Sequence, residues 1–302
     1  MKRLRWRLEY AVVRVLVWMA RHASWGFARA TGASIGHLFY LFDVRHRRIA
    51  LENLTAAFPH RPPAEQRAIV HGVFVHFGRM LFELMKFSGL SREEMLTRIE
   101  WEGADRAEAA YAEGRGVLFF TGHFGYWEMQ ALAHAAQSHR SIGVLARPLD
   151  NPHLHDLLEQ IRGCTGNYSI YRRGAVRRVL RALQDNQAVA ILIDQHIQRP
   201  DAITVNFFDR PASTTLALAI LARRTGAPVL PVFALPVGIG RYRMVFERPV
   251  EPPVDDTPEA VLDFTQRCTD VLEMYVRRHP ELWLWMHRRW RDDDAAAGRI
   301  EA

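Results

Sequence analysis

His123 and Glu128, with four residues between them, are the pair best placed to do chemistry in this chain of 302 residues. A carboxylate held on one ring nitrogen of an imidazole fixes its tautomer and steadies the imidazolium. The other nitrogen is then left to take a proton from an alcohol or amine. Positions i and i+5 on one continuous helix point well apart, so the two can meet only if His123 sits in a turn and Glu128 alone is helical. Two readings fit the residues by themselves: a general-base pair, or a buried His in a turn with a solvated Glu nearby.

The surrounding residues set the stage for the first reading. Val117 to Phe120 has the length and composition of a strand buried on both faces. Gly122 and Gly125 supply a turn, and Glu128 to Ala133 opens a helix. His123 therefore falls at the carboxyl end of a strand and the mouth of a helix, where ligands gather in open α/β sheets. Backbone amides of Gly122 to Gly125 are candidate donors to an oxyanion or a phosphate. No Gly-x-Ser-x-Gly elbow follows any of the expected strands, so direct attack by an acceptor hydroxyl fits better than a covalent acyl-enzyme.

Further along, strands are expected over 141–146, 188–193, 228–233 and 241–246. Helices are expected over 64–87, 154–164, 175–184, 215–225 and 258–278. This alternation predicts an α/β sheet flanked by helices. Arg147, Arg162 and the Arg172-Arg173 pair bring cationic forks near strand ends, as a phosphate grip or as a solvated basic face. Asp194 follows the apolar run Ala190 to Ile193 and either orients an Arg or caps the next turn. Phe207, Phe208 and Phe233 suit an acyl channel or plain core. Trp283, Trp285 and Trp290, beside Arg288 and Arg289, form either an interfacial patch or a C-terminal helix docked on the core.

Taken in order, these blocks resemble those of the bacterial lipid A late acyltransferases, within the wider family of His-x4-Asp/Glu acyltransferases. The blocks are the His123 turn, Arg147-Pro148-Leu149-Asp150-Asn151-Pro152 with Arg162, and Arg172 to Arg177. Ile193-Asp194-Gln195 leads into Phe207 to Thr215, and Gly226 to Phe233 precedes Leu282 to Trp290. The resemblance runs from about Arg48 to Arg291. It implies a mixed sheet of the glycerol-3-phosphate acyltransferase kind, with His123 and Glu128 catalytic and Arg147, Arg162, Arg173 and Asp194 binding substrate. It also implies an acyl carrier protein thioester as donor and a hydroxyl of a lipid A precursor or related glycolipid as acceptor, with no cofactor. Two positions depart from the family: Tyr126 stands where a polar Asn is common, and Phe207-Phe208 is followed by Asp209 rather than Gly. Both are expected beside the substrate cleft. Alternatives are a lysophospholipid or another lipid-linked glycan as acceptor, or a metal-dependent hydrolase with His123, Glu128, Asp194 and His196 as ligands.

The formal net charge of +7 and a pI near 9.8 call for an anionic partner. No basic-aromatic nucleic-acid module stands out, so a membrane surface is preferred to DNA or RNA. Lys2 and Lys86 are the only lysines, so the positive charge is carried by Arg. Cys164 and Cys268 lack any paired spacing, which fits unpaired thiols in a reducing compartment. No His-Glu-x-x-His or Cys-x-x-Cys metal pattern occurs. Arg14, Arg21 and Arg29 interrupt the apolar N-terminal stretch, which therefore suits an interfacial helix rather than a clean span of about 20 apolar residues. The expected organisation is a membrane-associated helical segment over 1–45, on the cytoplasmic face of the inner membrane, and an acyltransferase domain over 46–302.

Overall fold

The computed structural model describes residues 2–171, 174–198 and 201–291. Helices α1 (Lys2–His22) and α2 (Trp25–Phe42) open the chain. The Ser24 side chain caps the start of the second by accepting from the Phe27 amide at 3.2 Å. Asp43 caps α3 (Val44–Ala57) in the same way through the His46 amide, and Pro63 occupies the first turn of the long helix α4 (Pro63–Phe87). Helices α2 and α4 meet backbone to backbone. A Cβ at Gly36 would lie 2.2 Å from the Phe74 carbonyl oxygen, and one at Gly78 would lie 2.1 Å from that of Gly32. Any side chain there would force the two helices apart. Among the described residues α4 alone is long and apolar enough to cross a membrane, yet half of its most apolar stretch is buried in the protein.

The remaining elements are α5 (Arg92–Leu96), β1 (Ile99–Glu102), α6 (Ala104–Ala112), β2 (Val117–Thr121), α7 (Trp127–Ser138), β3 (Ile142–Ala146) and α8 (Pro152–Gly163). Then come β4 (Tyr168–Tyr171), α9 (Ala175–Gln184), β5 (Ala188–Leu192), β6 (Ala202–Asn206), β7 (Pro211–Thr215), α10 (Ala217–Thr225), β8 (Val229–Gly238), β9 (Arg241–Phe246) and α11 (Pro258–Arg278). Seven strands form one sheet in the order β1-β9-β8-β2-β5-β3-β4, parallel except for the β8–β9 pair. This is the predicted mixed α/β sheet flanked by helices. Strand β2 lies at its centre with all five residues buried, as its unbroken apolar run requires. Each such Phe or Leu contributes roughly 1.5–3 kcal/mol of burial.

Three expectations need correction. The 207–210 segment does not line the cavity beside His123. It is the turn of the β6–β7 hairpin, with Phe208 and Asp209 in left-handed backbone conformations. Phe207 and Phe208 pack edge-on to Trp283 and Trp285, in the core. Nor do Trp283, Trp285 and Trp290 form a surface patch or a regular helix: all three are buried, in an irregular segment after α11. Tyr126 is buried as well, its ring 4.6 Å from Tyr242 and 5.3 Å from His76, away from the open cleft. Beneath it the fully buried Glu83 accepts from Tyr242 Oη and from Arg29 at 3.0 Å, so one carboxylate ties α2, α4 and the sheet together.

Candidate active site

Strand register brings the central pair together. In β2 and β5, which run parallel, Thr121 stands opposite Leu192, and the Ile193 amide donates to the Thr121 carbonyl at 3.0 Å. His123 and Asp194 each lie two residues beyond that pair. They leave neighbouring strands at the same level, at the carboxyl edge of the sheet. The Asp194 carboxylate collects three donors. Oδ1 accepts from His123 Nδ1 at 2.8 Å, and Oδ2 accepts from the His123 amide at 2.6 Å and the Trp283 indole at 2.8 Å. Burial by itself raises the carboxyl pKa. The nearby His123 ring and these hydrogen bonds outweigh burial and hold it below the usual carboxylate range.

An ionised Asp194 can only accept, so His123 Nδ1 carries a proton and Nε2 presents its lone pair. The Gln195 amide lies 3.3 Å from Nε2 as a donor to that lone pair. The imidazole ring is held against Trp127, with centroids 5.4 Å apart. Its side chain is 20% exposed against 2% for Asp194, so the base can be reached while its orienting partner cannot. Asp194 therefore orients a His, not an Arg. The signal was present in the sequence, since both residues follow short apolar runs, but only the β2–β5 register pairs them.

Glu128 does not fold back onto His123. It lies in the first turn of α7, and its carboxylate takes the Arg162 fork in a two-point contact, Nε to Oε2 at 2.9 Å and Nη2 to Oε1 at 2.5 Å. Arg162, in the last turn of α8, also approaches Glu159 at 3.6 Å. Its charge is thus largely compensated. Arg147 follows β3 and is exposed at the mouth of the same cleft. Arg173 lies outside the described residues. The turn amides are less available than expected: those of His123, Gly125 and Tyr126 donate to Asp194, Leu282 and Ala234. Gly125 has φ +58°, and a Cβ there would lie 2.2 Å from the Ala234 carbonyl oxygen, so this turn requires Gly. Among the described residues no three His, Cys, Asp or Glu side chains converge to hold a metal ion, which removes the four-ligand hydrolase arrangement.

Behind His123 a cavity of about 450 Å³ runs between α7 and the sheet. His123, Trp127, Glu128, Arg147, Arg162 and Gln195 form its mouth; Phe119, Leu132, Ile142, Val144, Val232 and Met244 line it farther in. His134, on α7, lies deep in it and is held by Tyr111 at 2.9 Å. Burial pushes the His134 ring down to about 4, so it is neutral near pH 7. A polar mouth leading into an apolar interior matches a molecule with a reactive polar end and an alkyl tail.

The family model described as bacterial lipid A biosynthesis acyltransferase matches residues 2–292. The chain belongs to that family. It is an acyltransferase. The lipid A biosynthesis lauroyltransferase of Escherichia coli (strain K12) is 27% identical over 91% of this chain and 89% of its own length. The lipid A biosynthesis myristoyltransferase of the same organism is 26% identical over 80% and 73%. A phosphatidylinositol mannoside acyltransferase of Mycobacterium tuberculosis is 23% identical over 94% and 89%. The crystal structure of the 1-acyl-sn-glycerophosphate acyltransferase PlsC from Thermotoga maritima is a more distant likeness, 13% identical with a TM-score of 0.37, covering 83% of this chain and 97% of that one.

Proposed function

We propose that this acyltransferase moves a fatty acyl chain from an acyl carrier protein thioester to a hydroxyl of a lipid A precursor or related glycolipid, with His123 as the general base. The observation that carries the proposal is the Asp194–His123 pair at the mouth of an apolar cavity. The acyl tail lies in the cavity, with its thioester carbonyl beside His123. Nε2 takes the proton of the acceptor hydroxyl as its oxygen bonds to the carbonyl carbon, and Asp194 stabilises the imidazolium. The tetrahedral intermediate then collapses, the carbon–sulfur bond breaks, and the imidazolium returns the proton to the departing thiolate. The amino end of α7 offers partial positive charge to the oxyanion. Glu128 and Arg162 hold the mouth in shape, and Arg147 and Arg173 grip phosphate on donor or acceptor.

The first helix supports work at a membrane surface. Leu4, Leu8, Val12, Val15 and Trp18 are all exposed and fall on one face of α1 at helical spacing, with Arg7, Arg14 and Arg21 along its edge. An apolar face edged by arginines suits the boundary of an anionic leaflet, here the cytoplasmic face of the inner membrane. Expression in cells lacking their own late acyltransferases tests both parts at once. Lipid mass spectrometry should show a glycolipid gaining one acyl chain, and the protein should sediment with membranes. An unchanged lipid profile with abundant folded protein would overturn the acceptor class; a soluble active enzyme would overturn the membrane assignment.

A further inference from the structure

A second apolar cavity lies on the other side of the catalytic turn. Phe77 of α4 packs on Trp127 with ring centroids 5.6 Å apart, and Trp127 packs on His123. Trp127 lines the cavity already described, whereas Phe77 lines a groove of about 410 Å³ between α2, α4 and the segment 284–287. The groove is walled by Ile35, Phe39, Leu81, Leu284 and Met286. Its Leu284 wall is joined to the site directly, because the Leu284 amide donates to the His123 carbonyl at 3.1 Å. Its polar end holds His287 and the Asp43–His46 pair. His287 Nε2 lies 3.4 Å from the amide of His196, two residues after Asp194.

We infer that this groove holds an acyl chain of the lipid acceptor while the acceptor hydroxyl reaches over the 284–287 segment to His123. The inference rests on the acyl-transfer reading above and adds where the acceptor binds. The two compartments differ in the residues at their openings. The inner cavity is entered past Arg147, Glu128 and Arg162, a charged mouth suited to a donor arriving from water on a soluble carrier. The outer groove is entered between Phe39 and Leu81, which are 60% and 49% exposed, and Leu38 and Phe42 extend the apolar rim along α2. Such an opening suits a molecule that never leaves the bilayer. With one tail on either side of the Phe77–Trp127 partition, donor carbonyl and acceptor hydroxyl converge on one imidazole, and neither lipid tail need cross water.

Groove-filling variants test this. Ile35→Trp and Leu81→Trp would be assayed with a phosphorylated disaccharide carrying acyl chains, in mixed micelles, and with its chemically deacylated form. Ile220→Trp, on the exposed side of α10, is the control for a general effect of an added surface tryptophan on micelle binding. The KM for the acylated probe should rise about tenfold in the groove variants, the change expected when about two methylenes lose an apolar site. It should stay unchanged in Ile220→Trp, and the deacylated probe should not distinguish groove variants from wild type. An unchanged KM in the groove variants, or an equal rise in Ile220→Trp, would overturn the inference. Should either groove variant fail to fold, wild-type protein labelled by the same glycolipid with a photoreactive group on one chain decides. Label on the peptides of Phe39, Leu81 and Met286 is expected, and label found only elsewhere overturns the inference. If the acyl-transfer reading itself were wrong, wild type would acylate neither probe, a result separate from any of these.

Discussion

Replacing Asp194 with Asn should remove the base without removing the fold. The carboxylate accepts two bonds at Oδ2, from the His123 amide and Trp283, and one at Oδ1 from the imidazole. An Asn keeps the first two by setting its carbonyl oxygen in the Oδ2 position, which turns its NH2 group toward the ring. Nδ1 must then become an acceptor, the ring proton moves to Nε2, and the nitrogen facing the cleft has no lone pair for the acceptor hydroxyl. Loss of a correctly oriented base costs about 10³- to 10⁴-fold in turnover, or roughly 4–5.5 kcal/mol of barrier. The assay is steady-state release of carrier thiol with donor and acceptor both saturating, alongside a thermal melt of the same preparation. We expect turnover to fall by about 10³-fold or more while the melt shifts by only a few degrees. Turnover within tenfold of wild type in a folded Asp194→Asn protein would refute the assignment of Asp194 as the residue that orients the base.

Three further outcomes follow from the geometry. Arg162→Lys keeps the charge but loses the two-point contact with Glu128, so KM for the donor or for a phosphorylated acceptor should rise about tenfold, with a smaller fall in turnover; unchanged kinetics on both substrates would make the pair a bystander. Arg29→Ala leaves the buried Glu83 carboxylate without its ion-pair partner, with Tyr242 Oη still donating to it, and should cost about 3 kcal/mol in chemical denaturation, much of it regained in Arg29→Ala/Glu83→Gln; no loss in the single variant would contradict the network. Burial holds His76 and His134 down at about 4, so below their unfolded value of 6.5 the unfolded chain binds protons that the folded one does not. Stability contributed by these rings is complete above pH 6.5 and is lost as pH falls toward 4, by about 3 kcal/mol each. Melting temperatures that stay flat between pH 7.5 and 5 would show that these rings accept protons in the fold.

Legibility in the sequence followed the strength of local patterning. The apolar run of β2, the apolar residues spaced among arginines at helical period in α9 and the Pro258 start of α11 carry their own boundaries, and the structure places them where the pattern does. The edge strands β1 and β4, four residues each, are too short to show a period. The β6–β7 hairpin lacks the Asn-Gly or Asp-Gly signature because Phe208 and Asp209 take the left-handed positions, and the apolar pattern that predicts a helix from Thr215 runs on from a residue that closes β7. At the site, His123 and the cleft residues Arg147 and Arg162 could be picked out by their places after strands and within a helix. The partner of His123 could not, because Asp194 lies 71 residues away and meets it only through strand register. The role of Trp283 as a donor to Asp194 had no sequence signal at all: the residue lies in a segment without period, docked through Phe124 and Leu284.

The central claim is that His123 directs a hydroxyl onto a thioester carbonyl with no acyl-enzyme between. Purified protein, radiolabelled acyl carrier protein thioester and the glycolipid acceptor test it in one vessel, with His123→Ala beside wild type. The account predicts one acylated acceptor for each carrier thiol freed, no label on the protein at any time, and a fall of at least about 100-fold in His123→Ala. Label trapped covalently on the wild-type chain, free fatty acid in place of acylated lipid, or near-normal transfer by a folded His123→Ala protein would contradict it.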